Sequence, residues 1–346
     1  MPDDLATPHD DPPIPAPGTR LQGVALGIDV GGTGVKAALV DLATARLVSD
    51  RIRERTPRPA DPEAVVAVIK SVVARALAGH ELPEFLPVGC GLPGVVKDGR
   101  LTTAANIDPG WVGWPAQEKI GEAIGHPAMI INDADAAGLA EMAYGAGEGV
   151  DGTVLLLTLG TGIGSALFID GALVPNTEFG HIEVHGRDAE SRISGASRER
   201  RRIGWKVWSR EFNFYLSRLE LYVEPDLFIL GGGVSKEWAR FGKLLNRPTA
   251  ITTAAYLNAS GIIGAAYAAA AAWHRQQRVE HGGRGTEPDG TAAGSSDAFV
   301  RDPYGEVAPR AAISHPDGHG PKAHHAKAPG GYADSDVEVP VATDPM

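Results

Sequence analysis

Leu26-Gly-Ile-Asp-Val-Gly-Gly-Thr-Gly-Val-Lys36 is an apolar run that breaks into a glycine turn, and the design returns at Leu155-Leu-Leu-Thr-Leu-Gly-Thr-Gly-Ile-Gly-Ser165. A third cluster follows at Leu227-Phe-Ile-Leu-Gly-Gly-Gly-Val-Ser235. Glycine between two strands lets the backbone approach a phosphate closely, and consecutive N–H groups then cradle its oxygens. The first turn offers Gly31, Gly32, Thr33, Gly34 and Lys36, and the second Thr158, Gly160, Thr161 and Gly162. Gly231, Gly232 and Gly233 form the third. Two such hairpins opposed across a cleft are what a phosphotransferase needs, and their spacing points to a duplicated chain.

The rest of the composition agrees with a globular enzyme. The 346 residues suffice for two α/β domains, and the hydrophobic content of 43% is that of a folded protein. The single cysteine, Cys90, excludes an internal disulfide and sits in an apolar run that predicts an inert buried thiol. A net charge of -11 argues against a nucleic-acid binder, although a local basic groove can still serve an anionic substrate. No apolar stretch approaches the roughly 20 residues of a membrane span. The opening Met1-Pro-Asp-Asp-Leu5 lacks the basic and apolar parts of a signal peptide, so the cytoplasm is the expected compartment.

Along the chain, residues 1–20 are rich in Pro and Asp and read as disordered, as does the Gly/Pro/Ser/His-rich tail 275–346. Between them an N-terminal α/β domain is expected over 21–131, closed by a helix at 261–274, and a C-terminal α/β domain over 132–260. Three antiparallel strands are expected at 24–30, 35–41 and 47–56, then a helix at 62–78 and parallel strands at 88–91 and 128–131. A helix at 134–144 precedes a second hairpin at 153–159 and 165–169. Aromatic residues at three- and four-residue spacing predict a long helix over 200–222, ahead of a strand at 226–230.

Several side chains are placed to do chemistry. Ala128-Met-Ile-Ile-Asn-Asp133 is a strand ending in Asn132 and Asp133. Asp133 can accept the proton of an attacking hydroxyl while Asn132 holds a neighbouring one, or Asp133 N-caps the next helix, and the two roles are compatible. Thr177-Glu-Phe-Gly-His181 sets Glu178 and His181 around a glycine, with Glu190 beyond; such side chains grip vicinal sugar hydroxyls, or the histidine merely satisfies a core. His181 and His185 on one alternating strand lack a third ligand for zinc. Asp29 ends the first strand, where a carboxylate can hold hydrated Mg²⁺ or form an Asx turn. The basic stretch Arg198-Glu-Arg-Arg-Arg-Ile-Gly-Trp-Lys206 is either a solvated face or a track for a long phosphate chain, with Arg201, Arg202 and Lys206 as its contacts.

Asp29-Val-Gly-Gly-Thr33, the 158–164 turn, Glu178-Phe-Gly-His181 and Leu230-Gly-Gly-Gly-Val-Ser235 together resemble the ROK sugar kinases, a family of the actin-like (ribonuclease H-like) sugar kinase fold with a cleft between two domains. Gly91-Leu-Pro-Gly94, Asn106-Ile-Asp-Pro-Gly-Trp111 and Leu257-Asn-Ala-Ser-Gly-Ile-Ile-Gly-Ala-Ala266 narrow the resemblance to the polyphosphate glucokinase branch. It covers about 21–274. It implies Asp133 as general base for the 6-hydroxyl of glucose, and Asn132, Glu178, His181, Glu190 and the Gly94 backbone around the sugar. Inorganic polyphosphate, with ATP or GTP as second donor, would lie on the hairpins and on 231–233. Mg²⁺ and a homodimer are also implied. No zinc is expected, because the cysteine-rich loop many members carry after the histidine is missing. An ATP-only hexokinase for mannose or an N-acetylhexosamine, or a sugar sensor without turnover, remain the alternatives.

Overall fold

A computed structural model describes residues 20–282, all within one compact unit. The chain opens with the hairpin β1 (Val24–Gly31) and β2 (Gly34–Asp41), then β3 (Arg46–Leu47), β4 (Ile52–Glu54) and α1 (Pro62–Leu77). β5 (Val88–Leu92), a small hairpin of β6 (Val96–Lys97) and β7 (Arg100–Leu101), α2 (Ala116–Ile124), β8 (Ala128–Asn132) and α3 (Asp133–Tyr144) follow. The second half starts with β9 (Thr153–Leu159), β10 (Ile163–Ile169) and β11 (Ala172–Val174), then a short hairpin of β12 (Glu183–Val184) and β13 (Arg187–Asp188). After α4 (Ala189–Ile193), α5 (Gly195–Arg200) and α6 (Trp205–Val223) come β14 (Leu227–Gly231), α7 (Gly232–Ser235), α8 (Trp238–Phe241), β15 (Ala250–Thr253) and α9 (Ser260–Gly282).

The duplication is visible in the sheets. One runs β3-β2-β1-β5-β8, with β4 also on β2, and the other β11-β10-β9-β14-β15. In each, an antiparallel hairpin is extended by two parallel strands, so both glycine turns open at the same end of the same topology. Strands buried on both faces explain the near-continuous apolar runs. α1 and α2 cover the outer face of the first sheet, α6 that of the second, and α3 and α9 fill the space between. That middle layer is tight. A Cβ on Gly264 of α9 would meet the Ala136 carbonyl of α3 at 1.6 Å, and one on Gly89 of β5 would meet the Ala265 carbonyl of α9 at 1.9 Å.

Four expectations need correction. The strand expected at 47–56 is two pieces, because the Leu39 N–H of β2 is taken at 2.9 Å by the Ser49 hydroxyl instead of a ladder carbonyl. The helix expected from 200 starts at Trp205; Arg202 turns left-handed (φ 51°) and Gly204 caps the new helix. α9 continues to Gly282, past the expected end at 274, so the segment expected to be disordered from 275 begins as helix. His181 and His185 share no face, since His185 sits in a left-handed turn (φ 52°) stacked on Phe214 at 4.1 Å. The remainder of the tail and residues 1–19 lie outside the described residues. Cys90 is buried in β5, which pushes its thiol well above the usual range.

Candidate active site

Asp133 opens α3 at the end of β8, where the strand delivers it to a cleft of about 310 Å³. It does not cap the helix. Asn132 does, its Oδ1 accepting from the N–H groups of Ala134 (2.9 Å) and Asp135 (3.0 Å), while its Nδ2 donates to the Gly94 carbonyl at 3.0 Å. Asp133 itself lines the cleft. Its burial, reinforced by the charges of Asp29 and Glu178, raises its pKa to about 7, the value a base needs at neutral pH.

Glu178 and His181 flank a 3₁₀ turn at Phe179–His181 and line the same cleft as Asp133. Ser165 of β10 holds this loop: its hydroxyl donates to the Thr177 carbonyl at 2.7 Å and accepts from the Phe179 N–H at 3.0 Å. His181 Nδ1 bonds Asp188 Oδ2 at 2.7 Å, turning Nε2 toward Glu178, 3.8 Å from its Oε2. The bond to Asp188 raises the pKa of His181, and burial raises that of Glu178. Glu190 reaches in from α4, where Oε2 accepts from the Ile163 N–H at 2.8 Å and from Asn106 Nδ2 at 3.3 Å. Gly162 makes room for it; a Cβ there would stand 2.2 Å from that oxygen.

All three glycine clusters meet at this cleft. Gly31, Gly32, Thr33 and Lys36 line it from the first hairpin and Thr158, Gly160, Thr161 and Gly162 from the second, with Gly231, Gly232 and Gly233 beside them. Gly232 adopts φ 77°, and a Cβ on it would meet the Leu159 backbone at 2.6 Å. Gly34 lies behind the turn against Arg53, outside the lining. Lys36 is ion-paired to Asp29, its Nζ donating to Oδ2 at 2.5 Å. One carboxylate with an oxygen to spare suits Mg²⁺, which keeps waters and shares itself with substrate phosphates rather than demanding a protein cage. Among the described residues no group of three or more His, Cys, Asp or Glu side chains is placed to hold a metal.

The basic track is partly corrected. Arg201 is committed to Glu211 by two parallel bonds of 2.7 and 2.8 Å, and Arg192 joins the same carboxylate at 2.9 Å. Arg198 lies 4.0 Å over the Trp205 ring. Arg202 and Lys206 are exposed, and none of these residues lines the cleft. Residue-type reasoning passed over Asn106 and Asp188, whose partners are brought in by the fold. The one signal for Asn106 is its place in the Asn106-Ile-Asp-Pro-Gly-Trp111 motif.

With this geometry in view, comparison with known proteins identifies the relatives. Residues 25–196 match the model of the ROK family. The chain is 45% identical over 256 residues to a polyphosphate glucokinase of Mycobacterium tuberculosis, spanning 74% of this chain and 94% of that one. The chain belongs to the ROK family. Solved structures superpose accordingly: the inorganic polyphosphate/ATP-glucomannokinase of Arthrobacter sp. strain KM matches at 44% identity and TM-score 0.70, covering 74% of this chain and 100% of that one. A ROK glucokinase of Streptomyces griseus, solved with glucose and AMPPNP, matches at 29% identity and TM-score 0.61 over 70% and 98% of the two chains.

Proposed function

We propose that this ROK kinase phosphorylates the 6-hydroxyl of glucose, with inorganic polyphosphate as a donor and ATP or GTP as alternatives. The observation that carries it is the convergence of a half-buried carboxyl with pKa about 7, a sugar-gripping Glu/His pair and three phosphate-cradling turns on one cleft. Asp133 takes the hydroxyl proton as the oxygen attacks the terminal phosphorus, and the rest of the donor departs with the bridging oxygen. Glu178, His181, Glu190 and Asn106 hold the remaining hydroxyls; Asn132 contributes chiefly by fixing Gly94 and the start of α3. Mg²⁺ carried through water by Asp29 would neutralise phosphate oxygens. The two sheets act as lobes, 21–131 with α9 and 132–260, whose closure excludes water. A coupled assay with glucose and either polyphosphate or ATP tests the whole reading; absence of glucose 6-phosphate with both donors sinks it, and turnover of mannose or an N-acetylhexosamine in place of glucose selects the other hexokinase reading.

The polymer donor has a physical handle of its own. α5 leans on the second phosphate turn, the Ala196 N–H donating to the Gly160 carbonyl at 3.1 Å, and the basic segment runs on from there. With Arg201 occupied by Glu211, Arg202 and Lys206 are the exposed members of the expected track, open to a chain emerging from the cleft. Neutralising both should raise KM for long polyphosphate about tenfold and KM for ATP by less than twofold, and added salt should hurt only the polymer. Equal effects on the two donors would remove the track.

The family also implies a homodimer, and α6 supports one. Val207, Phe214 and Leu221, spaced by seven residues, expose 38%, 38% and 70% of their surface on one helix face, beside Tyr222. Phe214→Asp combined with Leu221→Asp should convert a dimer to a monomer in sedimentation; an unchanged mass overturns that interface. No helix among the described residues is long and apolar enough to cross a membrane.

A further inference from the structure

We propose that Asp135 and Asn176 are positioning residues, which lock the sugar-binding loop to the base through a closed ring of hydrogen bonds around Asp133. The proposal rests on the reading of Asp133 as base and Glu178 as sugar ligand. The ring has four links. Asn132 Nδ2 donates to the Gly94 carbonyl at 3.0 Å, and two residues on, Val96 pairs with the Asn176 side chain in both directions. The Val96 N–H donates to Asn176 Oδ1 at 2.8 Å, and Asn176 Nδ2 donates to the Val96 carbonyl at 3.0 Å. The Asn176 N–H donates to Asp135 Oδ2 at 2.8 Å. The Asp135 N–H closes the circuit on Asn132 Oδ1 at 3.0 Å.

Each member is there for a directional reason. Asn176 adopts a left-handed backbone (φ 62°), a conformation asparagine tolerates better than most residues, and its amide serves β6 as one rung of an added strand. β6 pairs otherwise only with β7 and belongs to neither large sheet, so this rung ties the β6 edge of the hairpin that follows Gly94 to the sugar-binding loop. Asp135 is 1% exposed, and its Oδ1 has no hydrogen-bond partner. Burying such a group is unfavourable, and an apolar residue at this point of α3 would avoid the cost. What Asp135 contributes in return is the bond to Asn176, two residues from Glu178. Burial raises its pKa to about 8, so it is mostly the neutral acid at pH 7, and asparagine is its near-isostere. The loop therefore hangs from two hooks: Ser165 on β10, and Asp135 two residues beyond the base.

Three variants of the full chain decide the matter. Asn176→Gly keeps the left-handed backbone and the N–H and deletes only the pairing with Val96. Asp135→Ala deletes the hook, and Asp135→Asn retains an acceptor for the Asn176 N–H. Asn176→Gly and Asp135→Ala should each raise KM for glucose about tenfold, with kcat changed by less than about threefold and KM for ATP within twofold. The pair combined should cost no more than the worse single change, because both break one circuit. Asp135→Asn should recover most of the affinity lost in Asp135→Ala. An unchanged glucose KM in Asn176→Gly, additive costs in the pair, or equal rises for glucose and ATP overturn the ring. If Asp135→Ala does not fold, Asn176→Gly and Asp135→Asn still decide it. A wild-type protein that leaves glucose unphosphorylated would instead sink the underlying reading, independently of these variants.

Discussion

Asp133→Asn is expected to lower kcat by about 10²- to 10⁴-fold, the usual worth of a positioned base, while glucose still binds. The substitution keeps the shape and hydrogen-bonding reach of the side chain and removes only its ability to take a proton. α3 should be undisturbed, since its cap is Asn132 and not Asp133. The same carboxyl dictates a pH profile. Burial, with Asp29 second, holds its pKa near 7, so below that pH the acid form dominates and kcat/KM should fall about tenfold per unit. Above it the rate should level off. A cation beside Asp29 offsets the second cause, placing the midpoint of the metal-loaded enzyme at or below 7. The residual activity of Asp133→Asn should lose this limb. Near wild-type turnover in that variant, or an acid limb that survives it, assigns the base elsewhere.

How much of this was legible before the fold was known follows from how local each signal is. The two hairpins and the strands behind them are written in contiguous apolar runs with glycine between them, and the first hairpin pairs antiparallel with parallel strands behind it as expected, whereas the register of each pair is set by the fold. The position of Asp133 just past the end of β8 was legible because a strand end is a local feature. The breaks were not: the gap between β3 and β4 depends on one serine hydroxyl reaching Leu39, and the start of α6 on a left-handed arginine. Arg201 looked like a free cation because Glu211 lies ten residues away on another helix. Asn106 stands 84 residues from Glu190, and Asn176 stands 41 from Asp135 and 80 from Val96. Pattern along a chain reports which face a residue shows; it carries no information about which distant partner the topology presents to that face.

Glu141→Ala is expected to destabilise the protein by at least about 3 kcal/mol, although Glu141 does not itself line the cleft. Its carboxylate is fully buried in α3 and saturated: Oε2 accepts from the N–H groups of Ala146 (3.1 Å) and Ala255 (2.8 Å), and Oε1 from the Tyr256 N–H (2.9 Å) and the Ser260 hydroxyl (3.0 Å). Removing it strands three backbone donors, each worth about 1–3 kcal/mol when left unpaired in a dry interior. For a chain of this size the loss should lower Tm by roughly 6 °C or more. Glu141→Gln tests the cause, because its amide presents hydrogens to two of the same donors and should be nearly as damaging despite an unchanged volume. The consequence reaches the site through the backbone. Ala254, Ser260 and Gly261 line the cleft, and Glu141 is what pins the end of β15 and the first turn of α9 to the helix that carries Asp133. A Glu141→Gln protein melting within 2 °C of the wild type would show that water, not this carboxylate, satisfies those donors, and that α3 and α9 are joined by apolar packing alone.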